Sequence, residues 1–242
     1  MKERVQLLDI MVDITSTDTA SKTALQYLSQ ESSHVVYFIN NETLLLLAEQ
    51  QEWKAAVEES ELVLPGNSDV SASVDEVLGH KREAFFVEGF FDKILDQAVE
   101  MGYEFMLVTE DEDKYNSIQK NIHEKRPFLT LSGMFLTDQE ETLGHIVNEI
   151  NSVAPDILLV ALEEKKQLEL LSQFRSQMNA GLLLFSGDIL YDKAVLEEEV
   201  PESIQRLRIQ NLYKWFKRNG RIRAFLSRLR VKSVLRKRKK ER

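Results

Sequence analysis

Short apolar runs alternate with amphipathic segments along the first 185 residues of the chain. Continuous runs rich in β-branched and aromatic side chains predict buried strands at residues 34–39, 62–64, 105–108, 128–131, 156–161 and 182–185. Helical periodicity behind polar capping residues predicts helices at residues 17–30, 42–57, 69–78, 88–101, 111–124, 138–151 and 164–178. Residues 11–14 are expected to form a first strand or hairpin arm, and the helix over 42–57 is expected to break near Gln50.

Strands and helices that alternate with short connections are typical of an α/β domain with a mostly parallel sheet. The predicted strands are apolar throughout instead of alternating with polar residues, which indicates burial on both faces. We therefore expect a Rossmann-like α/β domain over residues 1–200, its sheet flanked by helices. Residues 201–242 are expected to form a basic amphipathic helical appendage.

The charge of the chain is divided very unevenly between these two parts. Residues 206–242 contain sixteen Lys and Arg against one Glu, a net charge of +15, whereas the first 205 residues carry −24 within a total of −9. Apolar side chains at helical spacing in this basic arm can enter the headgroup boundary of a membrane while its cations meet anionic lipid. The predicted membrane-binding residues are Arg221, Ile222, Arg223, Phe225, Leu226, Arg228, Leu229 and Arg230.

Two other roles for the basic arm stay open. The arm could dock onto the acidic body of the same molecule, or it could be a nucleic-acid tail. The second is less favoured, because an acidic body repels phosphate and phosphate binding does not require an apolar stripe. No segment reaches the length of a spanning helix, and residues 1–4 lead into a mixed segment unlike a signal peptide. We expect a cytoplasmic protein that is peripheral on the inner face of the membrane, with no nucleic-acid partner.

The composition excludes several classes of chemistry. The chain has no Cys, so disulfides, thiol nucleophiles and Cys-ligated zinc are excluded. Its four His are scattered without metal-binding spacing, and only nine Gly are present. The sequence contains no GxGxxG, P-loop, GxSxG or HExxH motif. We expect no metal site and no cofactor.

Ligands of parallel α/β sheets bind beyond the carboxyl ends of the strands. Residues in such positions are Asn40, 65–69, 109–113, Gly133, 162–167 and 186–188. Asn40 could bind a base or a sugar, or cap a helix. The loop at 66–69 could wrap a ligand or be a capped turn, and Lys166 could meet a phosphate or begin a surface helix. The four acids at 110–113 repel phosphate, and they could bind a divalent cation or form a solvated helix start.

Read from end to end, the order of segments resembles the WecG/TagA/CpsF family of bacterial glycosyltransferases over about residues 5–226. The resemblance is carried by the segments 8–14, 35–40, 60–65, 132–135, 154–162, 166–167 and 200–221. Within these, Ser132-Gly133-Met134-Phe135 is similar to the family's glycine–aromatic turn. Lys166-Gln167 falls at its Pro-Lys-Gln-Glu motif.

The resemblance implies an enzyme of cell-surface polysaccharide or teichoic-acid-type assembly. Members transfer a sugar, typically N-acetylmannosamine, from a UDP donor to a polyprenyl-diphosphate-linked acceptor. They need no metal ion, and a basic C-terminal appendage helps them to reach the membrane. Other assembly enzymes, or a second copy of the chain, are further possible partners. Candidate substrate-binding residues are Asp13, Asn40, Asn67, Gly133, Lys166 and Gln167.

The chain departs from the family pattern at its polar motif residues. The family's Leu-Pro-Asp-Gly, whose Asp is the general base, is here Leu64-Pro65-Gly66-Asn67, so Asp69 becomes the candidate catalytic base. The family's glycine-rich loop after the middle strand is replaced by the acidic residues 110–113. Two hypotheses follow: an active transferase that uses Asp69, or a catalytically degenerate homolog that binds a partner or the membrane. An unrelated α/β protein is the third.

Overall fold

A computed structural model describes residues 3–81, 83, 85–136, 142–197 and 231. The strands are β1 (Arg4–Leu7), β2 (Ile10–Asp13), β3 (His34–Ile39), β4 (Leu62–Pro65), β5 (Phe105–Thr109), β6 (Leu131–Phe135), β7 (Ile157–Ala161) and β8 (Leu182–Phe185). The helices are α1 (Thr17–Tyr27), α2 (Asn41–Glu49), α3 (Gln51–Glu58), α4 (Ser68–Leu78), α5 (Val87–Met101), α6 (Glu112–Lys125), α7 (Leu143–Val153), α8 (Glu164–Phe174) and α9 (Ile189–Glu197). A 3₁₀ turn, Arg175–Gln177, follows α8.

Six of the strands form one parallel sheet in the order β4-β3-β8-β7-β5-β6. Every pair of neighbours in this sheet is parallel, and Tyr37 of β3 lies opposite Val63 on one side and Phe185 on the other. The strands β1 and β2 form a separate antiparallel hairpin. The predicted Rossmann-like α/β fold with a parallel sheet flanked by helices is confirmed. Apart from Val231, the appendage lies outside the described residues, as does the boundary at residue 200.

Alternate residues of each strand pack into one of two hydrophobic clusters. Val35, Tyr37 and Ile39 face the first cluster, which contains side chains of the hairpin and of α2, α3, α4, α7 and α8. Val36 and Phe38 face the second, with α1, α5, α6 and α9. Burial on both faces explains why the central strands are apolar at nearly every position.

Val231 is the one described residue beyond position 197. It is helical, only 1% exposed, and belongs to the first hydrophobic cluster. At this point of the basic arm, therefore, an apolar side chain packs against the α/β body.

The structure corrects the sequence prediction around β6. The strand was expected at residues 128–131, but it spans Leu131–Phe135. Phe128 is 85% exposed, and the backbone N–H of Leu129 closes a turn onto the carbonyl of Arg126. As β6 is an edge strand with β5 as its neighbour, it tolerates Ser132 and Gly133 in its middle. Gly133 therefore lies within a strand and not in a turn after it.

The other boundaries follow the prediction more closely, and the break between α2 and α3 falls at Gln50 as expected. The helix α9 was not predicted. The helix expected over 164–178 ends at Phe174, and the first residues of the helix expected from 138 lie outside the described part of the chain.

The connections between strands diverge at the carboxyl edge of the sheet, between β7 and β5. After β5 the chain continues into α6, which packs on the face of the sheet that carries the second hydrophobic cluster. After β7 it continues into α8, on the face that carries the first cluster. The two connections lead to β6 and β8, which lie on opposite sides of the β7–β5 pair. Neighbouring strands whose connections diverge in this way open the crevice in which α/β proteins bind ligands. Within the described residues, no helix is long and apolar enough to cross a membrane.

Candidate functional site

The centre of this edge is a buried carboxylate, Glu164, which begins α8 directly after β7 and is 8% exposed. Asn40 donates its Nδ2–H to Oε1 at 2.5 Å, and the Thr43 hydroxyl donates to Oε2 at 2.7 Å. Burial raises the pKa of Glu164 to about 7, because the charged form loses its contact with water. The hydrogen bond from Thr43 opposes this rise of the pKa, whereas the negative charges of Asp188 and Glu42 add to it. Glu164 can therefore exchange a proton near neutral pH.

Asn40 caps α2, a role that the sequence left open, and its side chain also holds Glu164. Its Oδ1 accepts the backbone N–H groups of Glu42 and Thr43 at 2.8 and 2.9 Å, which caps α2. The backbone N–H of Asn40 donates in return to the Thr43 hydroxyl oxygen, completing a capping box. With one amide hydrogen on Glu164, the Asn40 side chain retains one N–H for a ligand.

The loop after β8 closes over this carboxylate. The backbone N–H of Gly187 donates to Oε1 of the buried Gln167 at 3.0 Å. Gly187 has a φ of +55°, and a Cβ added there would lie 2.5 Å from Oε1 of Glu164. Glycine adopts this positive φ without strain and has no Cβ to collide with Glu164, so the loop can approach Glu164 closely.

A second polar cluster lies beside the first. Lys114 of α6, with a side chain only 4% exposed, donates to Oε2 of Glu110 at 2.9 Å and to Oδ1 of Asp188 at 2.6 Å. Burial alone would lower the pKa of Lys114, but its two carboxylate partners outweigh burial and the net pKa is raised. Burial likewise raises the pKa of Glu110, against the opposing effect of Lys114. Lys114 is thus held as a cation between two acids.

The acidic loop at 110–113 divides between two roles. Asp111 caps α6 by accepting the backbone N–H of Lys114 at 2.8 Å, and Glu112 and Asp113 are exposed in its first turn. Those three match the expected solvated helix start, whereas Glu110 turns inward to Lys114. No cluster of three or more metal-ligating side chains occurs within the described ranges.

The candidate base Asp69 lies at the next strand end. Gly66, at the position where the family pattern places its Asp, donates its backbone N–H to the carbonyl of Ile39 at 2.7 Å. Asn67 caps α4 through Oδ1, which accepts the N–H of Val70 at 2.9 Å. Asp69 is half-buried in the first turn of α4, with Oδ2 at 3.5 Å from Nδ2 of Asn41. Asn41 follows Asn40, so Asp69 is joined to the Glu164 cluster through two adjacent asparagines.

The remaining predicted residues occupy other parts of the fold. Asp13 accepts Nε–H of Arg4 at 2.8 Å and the backbone N–H of Val63 at 2.7 Å, which ties the hairpin to β4. Gly133 lies in edge strand β6, where an added Cβ would be 2.5 Å from the ring of Tyr115. Lys166 is half-buried in the first turn of α8, near Glu164 in sequence. The eight arm residues between 221 and 230 lie outside the described residues.

Sequence reasoning did not find Glu164 or Lys114. Both stand in segments that read as solvated helix starts, and long-range contacts alone show that their side chains turn inward. For Glu164, the local signal available is the group of buried leucines that follows it: Leu168, Leu170 and Leu171 pack α8 against the sheet.

The carboxyl edge therefore gathers an acid that titrates near neutrality, a half-buried Asp69 and several amides. Such a set can take a proton from a hydroxyl and hydrogen-bond a sugar or nucleotide, which are the demands of glycosyl transfer. A search of curated proteins returned no match. The model of the glycosyl transferase WecG/TagA/CpsF family matches residues 5–242, nearly the whole chain. This match, over a chain with a parallel α/β sheet and polar groups at its carboxyl edge, shows that the chain belongs to the WecG/TagA/CpsF family of glycosyl transferases.

Proposed function

We propose that the chain transfers a sugar from a UDP donor to a polyprenyl-diphosphate-linked acceptor in the assembly of cell-surface polysaccharide. The expected sugar is N-acetylmannosamine. The observation that carries the proposal is the line of polar groups across the carboxyl ends of β4, β3, β8, β7 and β5, from Asp69 through Asn40 and Glu164 to Lys114. Membership of a glycosyl transferase family supports the reaction type.

Asp69 is the catalytic base in this proposal. Its carboxylate is half-buried, next to the Asn41 amide, in the first turn of the helix that follows β4. It takes the proton of the acceptor hydroxyl as that oxygen attacks the anomeric carbon of the donor. A general base typically contributes 10²–10⁴-fold to the rate.

The substrate-binding groups act through hydrogen bonds. Asn40 offers its second amide hydrogen, and Asn67 offers its amide group, since only Oδ1 is used in capping α4. Gln167 orients the Gly187 loop, and Lys166 in the first turn of α8 is placed to meet a phosphate. The resemblance adds Asp13 and Gly133, which act by holding the hairpin and β6 in place.

The basic arm brings the enzyme to its lipid-linked acceptor. Residues 221–230 hold the apolar stripe and its flanking arginines, and an acceptor in the bilayer demands an enzyme at the surface. Burial of Val231 supports a contact of the arm with the body as well. Co-sedimentation should show binding to vesicles with anionic lipid, weaker binding to neutral vesicles, and loss of binding when residues 221–230 are replaced by Gly and Ser. Equal binding by that variant would contradict the membrane role.

A transfer assay with a UDP-sugar and a lipid-linked acceptor tests the reaction. Asp69→Asn should lower turnover by at least 10²-fold while the protein keeps its fold. Asp75→Asn, the same change one and a half turns along α4, is the matched control and should keep activity. Normal turnover in Asp69→Asn would remove Asp69 from the mechanism.

A second function, a non-catalytic partner in polysaccharide assembly, is favoured by one observation. The acids at the crevice outnumber the cations, and Lys114 is already held by two carboxylates. Such a protein would bind another assembly enzyme through its body or arm. Capture of a polysaccharide-assembly enzyme by the full chain, with no transfer for any UDP-sugar, would support this function over the first.

A further inference from the structure

The two edges of the parallel sheet differ in what lies beside them. At one edge, β4 is covered by the hairpin, and the backbone N–H of Val63 donates to Oδ2 of Asp13 in β2 at 2.7 Å. At the other edge, β6 pairs with β5 on its inner side, and no element of the described residues pairs with its outer side. An edge strand of this kind presents a row of backbone groups to which another strand can pair.

The hydrogen bonds between β5 and β6 fix which backbone groups of β6 point outward. The N–H of Phe105 donates to the carbonyl of Thr130 at 2.9 Å, and the N–H of Leu136 donates to the carbonyl of Thr109 at 3.2 Å. Successive residues of a strand direct their backbone groups to opposite sides, so the even-numbered positions from 130 to 136 face β5. The residues whose N–H and C=O groups point outward are Leu131, Gly133 and Phe135.

The sequence of this edge lacks the features by which proteins discourage edge pairing. Charged side chains, proline within the strand and bulges are the usual ones. No charged residue occurs from Pro127 to Thr137, in a chain of which 29% is charged, and Pro127 precedes the strand. The pairing with β5 runs through β6 without a bulge, and the neighbouring Phe128 is 85% exposed. The edge therefore keeps the properties that favour the addition of a strand.

We propose that the outer side of β6 is a self-association surface, on which β6 of a second copy pairs antiparallel with Gly133 opposite Gly133 of the partner. The outward residues are symmetric about Gly133, so this register alone lets all three exchange backbone hydrogen bonds with the three of the partner. The two parallel sheets then form one continuous sheet around a two-fold axis, the commonest symmetry of homo-oligomers. This inference goes beyond the proposed function and does not depend on it.

The apolar side chains of β6 fit this pairing. Leu131 packs against the second hydrophobic cluster, and the ring of Phe135 lies 5.8 Å from the ring of Tyr115 on the same face. Both Leu131 and Phe135 are only half-buried. In the proposed register Leu131 lies directly opposite Phe135 of the partner, at both ends of the strand pair. Cross-strand contacts between aromatic and aliphatic side chains stabilise a sheet, and this one removes apolar surface from water.

The charges that flank β6 favour a second copy in antiparallel orientation. The chain enters the strand from Lys125 and Arg126, and the first charged residues after it are Asp138, Glu140 and Glu141. Counted along the chain, Lys125 and Glu141 are equally far from Gly133, as are Arg126 and Glu140. The basic end of one copy therefore meets the acidic end of the other twice in an antiparallel pair. Parallel pairing would instead bring like charges together.

Sedimentation of the full chain over a range of about 1–100 μM tests the association. The mass should rise from 28.0 kDa toward twice that value with concentration. Ser132→Lys places a cation in the middle of the edge, opposite Met134 of the partner, and should weaken the dimer at least about tenfold. Ser152→Lys adds the same charge at an exposed position of α7 and should associate as wild type does. Circular dichroism shows whether each variant keeps its fold.

A distance between the two copies tests the register without relying on that variant. The chain has no Cys, so Thr130→Cys gives a single site for a spin label, at an exposed position next to β6. In the proposed register Thr130 lies level with Leu136 of the partner, so the two labelled positions are separated by about 20 Å along the strands. Pulsed electron resonance on the concentrated protein measures this separation.

Each outcome bears on the proposal. A concentration-dependent dimer that Ser132→Lys weakens and Ser152→Lys does not, with a label distance near 20 Å, would support it. A mass of 28.0 kDa at every concentration would overturn it and leave the edge to another segment of the chain or to another protein. A dimer with a very different label distance would place the contact on another surface and would also overturn it. If Ser132→Lys does not fold, the label distance decides alone.

Discussion

Replacing Glu164 by Gln should make the protein more stable at alkaline pH, in spite of the two hydrogen bonds to the carboxylate. A rise of the pKa from 4.5 to about 7 means that the folded state disfavours the ionised form by about 3 kcal/mol. The sign follows from proton binding: the folded state holds this proton to a higher pH than the unfolded chain does. Stability therefore begins to fall as the pH rises through 4.5, and the full cost is present above 7.

The Gln side chain can keep both contacts of Glu164. Its Oε1 accepts from Asn40, and its Nε2 can donate to the Thr43 hydroxyl, which then turns its own hydrogen to Asn40 Oδ1 at 3.1 Å. Charge-assisted hydrogen bonds are stronger than neutral ones, so part of the gain is lost. We expect Glu164→Gln to raise the free energy of unfolding by about 1–3 kcal/mol at pH 8.5 and by no more than about 1 kcal/mol at pH 5, where the loss has only begun.

Urea unfolding at both pH values, with Glu163→Gln as the control, measures this difference. Glu163 is exposed and precedes Glu164 in the chain, so its replacement tests whether a general loss of negative charge has the same effect. A variant that is no more stable than wild type at pH 8.5, or whose gain is the same at pH 5, would refute the account of a buried carboxylate that ionises near neutrality.

The other stability predictions use the same unfolding assay. Lys114→Met should cost about 1–3 kcal/mol, chiefly because it leaves the partly buried Glu110 without its cation, since Asp188 is 65% exposed and solvated. Adding Glu110→Gln should recover part of the loss, and an unchanged midpoint would contradict the ion pair of Lys114. Gly133→Ala should cost about 2 kcal/mol, because its Cβ would lie 2.5 Å from a backbone carbonyl and from an aromatic ring. Gly144→Ala, within α7 and with open space around it, should instead stabilise by about 0.5–1 kcal/mol, and a similar loss in both variants would refute the steric reason.

The fold could be predicted because its central strands are buried on both faces. Apart from His34 at the start of β3 and Thr109 at the end of β5, every position of β3, β5, β7 and β8 is apolar, and such runs are read directly from the sequence. The edge strand β6 lacks this signal, since one side has no neighbour. The strand was therefore predicted to begin at the preceding apolar pair, Phe128 and Leu129, although Phe128 is exposed.

The candidate site was predicted only in part. Asn40 follows β3 directly, and Asn67, Asp69 and Gln167 lie in the loop or the first turns of the helix after a strand, so the topology alone brings them to the carboxyl edge. The inward turn of Glu164 and Lys114 depends on partners 121 and 74 residues away in the chain, Thr43 and Asp188. Local patterns report solvated helix starts at both places, because they carry no information on such contacts.

The most direct test of a nucleotide-sugar transferase is the melting temperature of the full chain with free UDP and a panel of UDP-sugars at pH 6.5. The account predicts a stabilisation of about 3 kcal/mol by UDP and its sugars at a hundredfold excess over the dissociation constant, with GDP and adenosine diphosphate inactive. No shift with UDP or any UDP-sugar, in wild type and in Glu164→Gln alike, would contradict the central claim and leave the non-catalytic partner as the function to test.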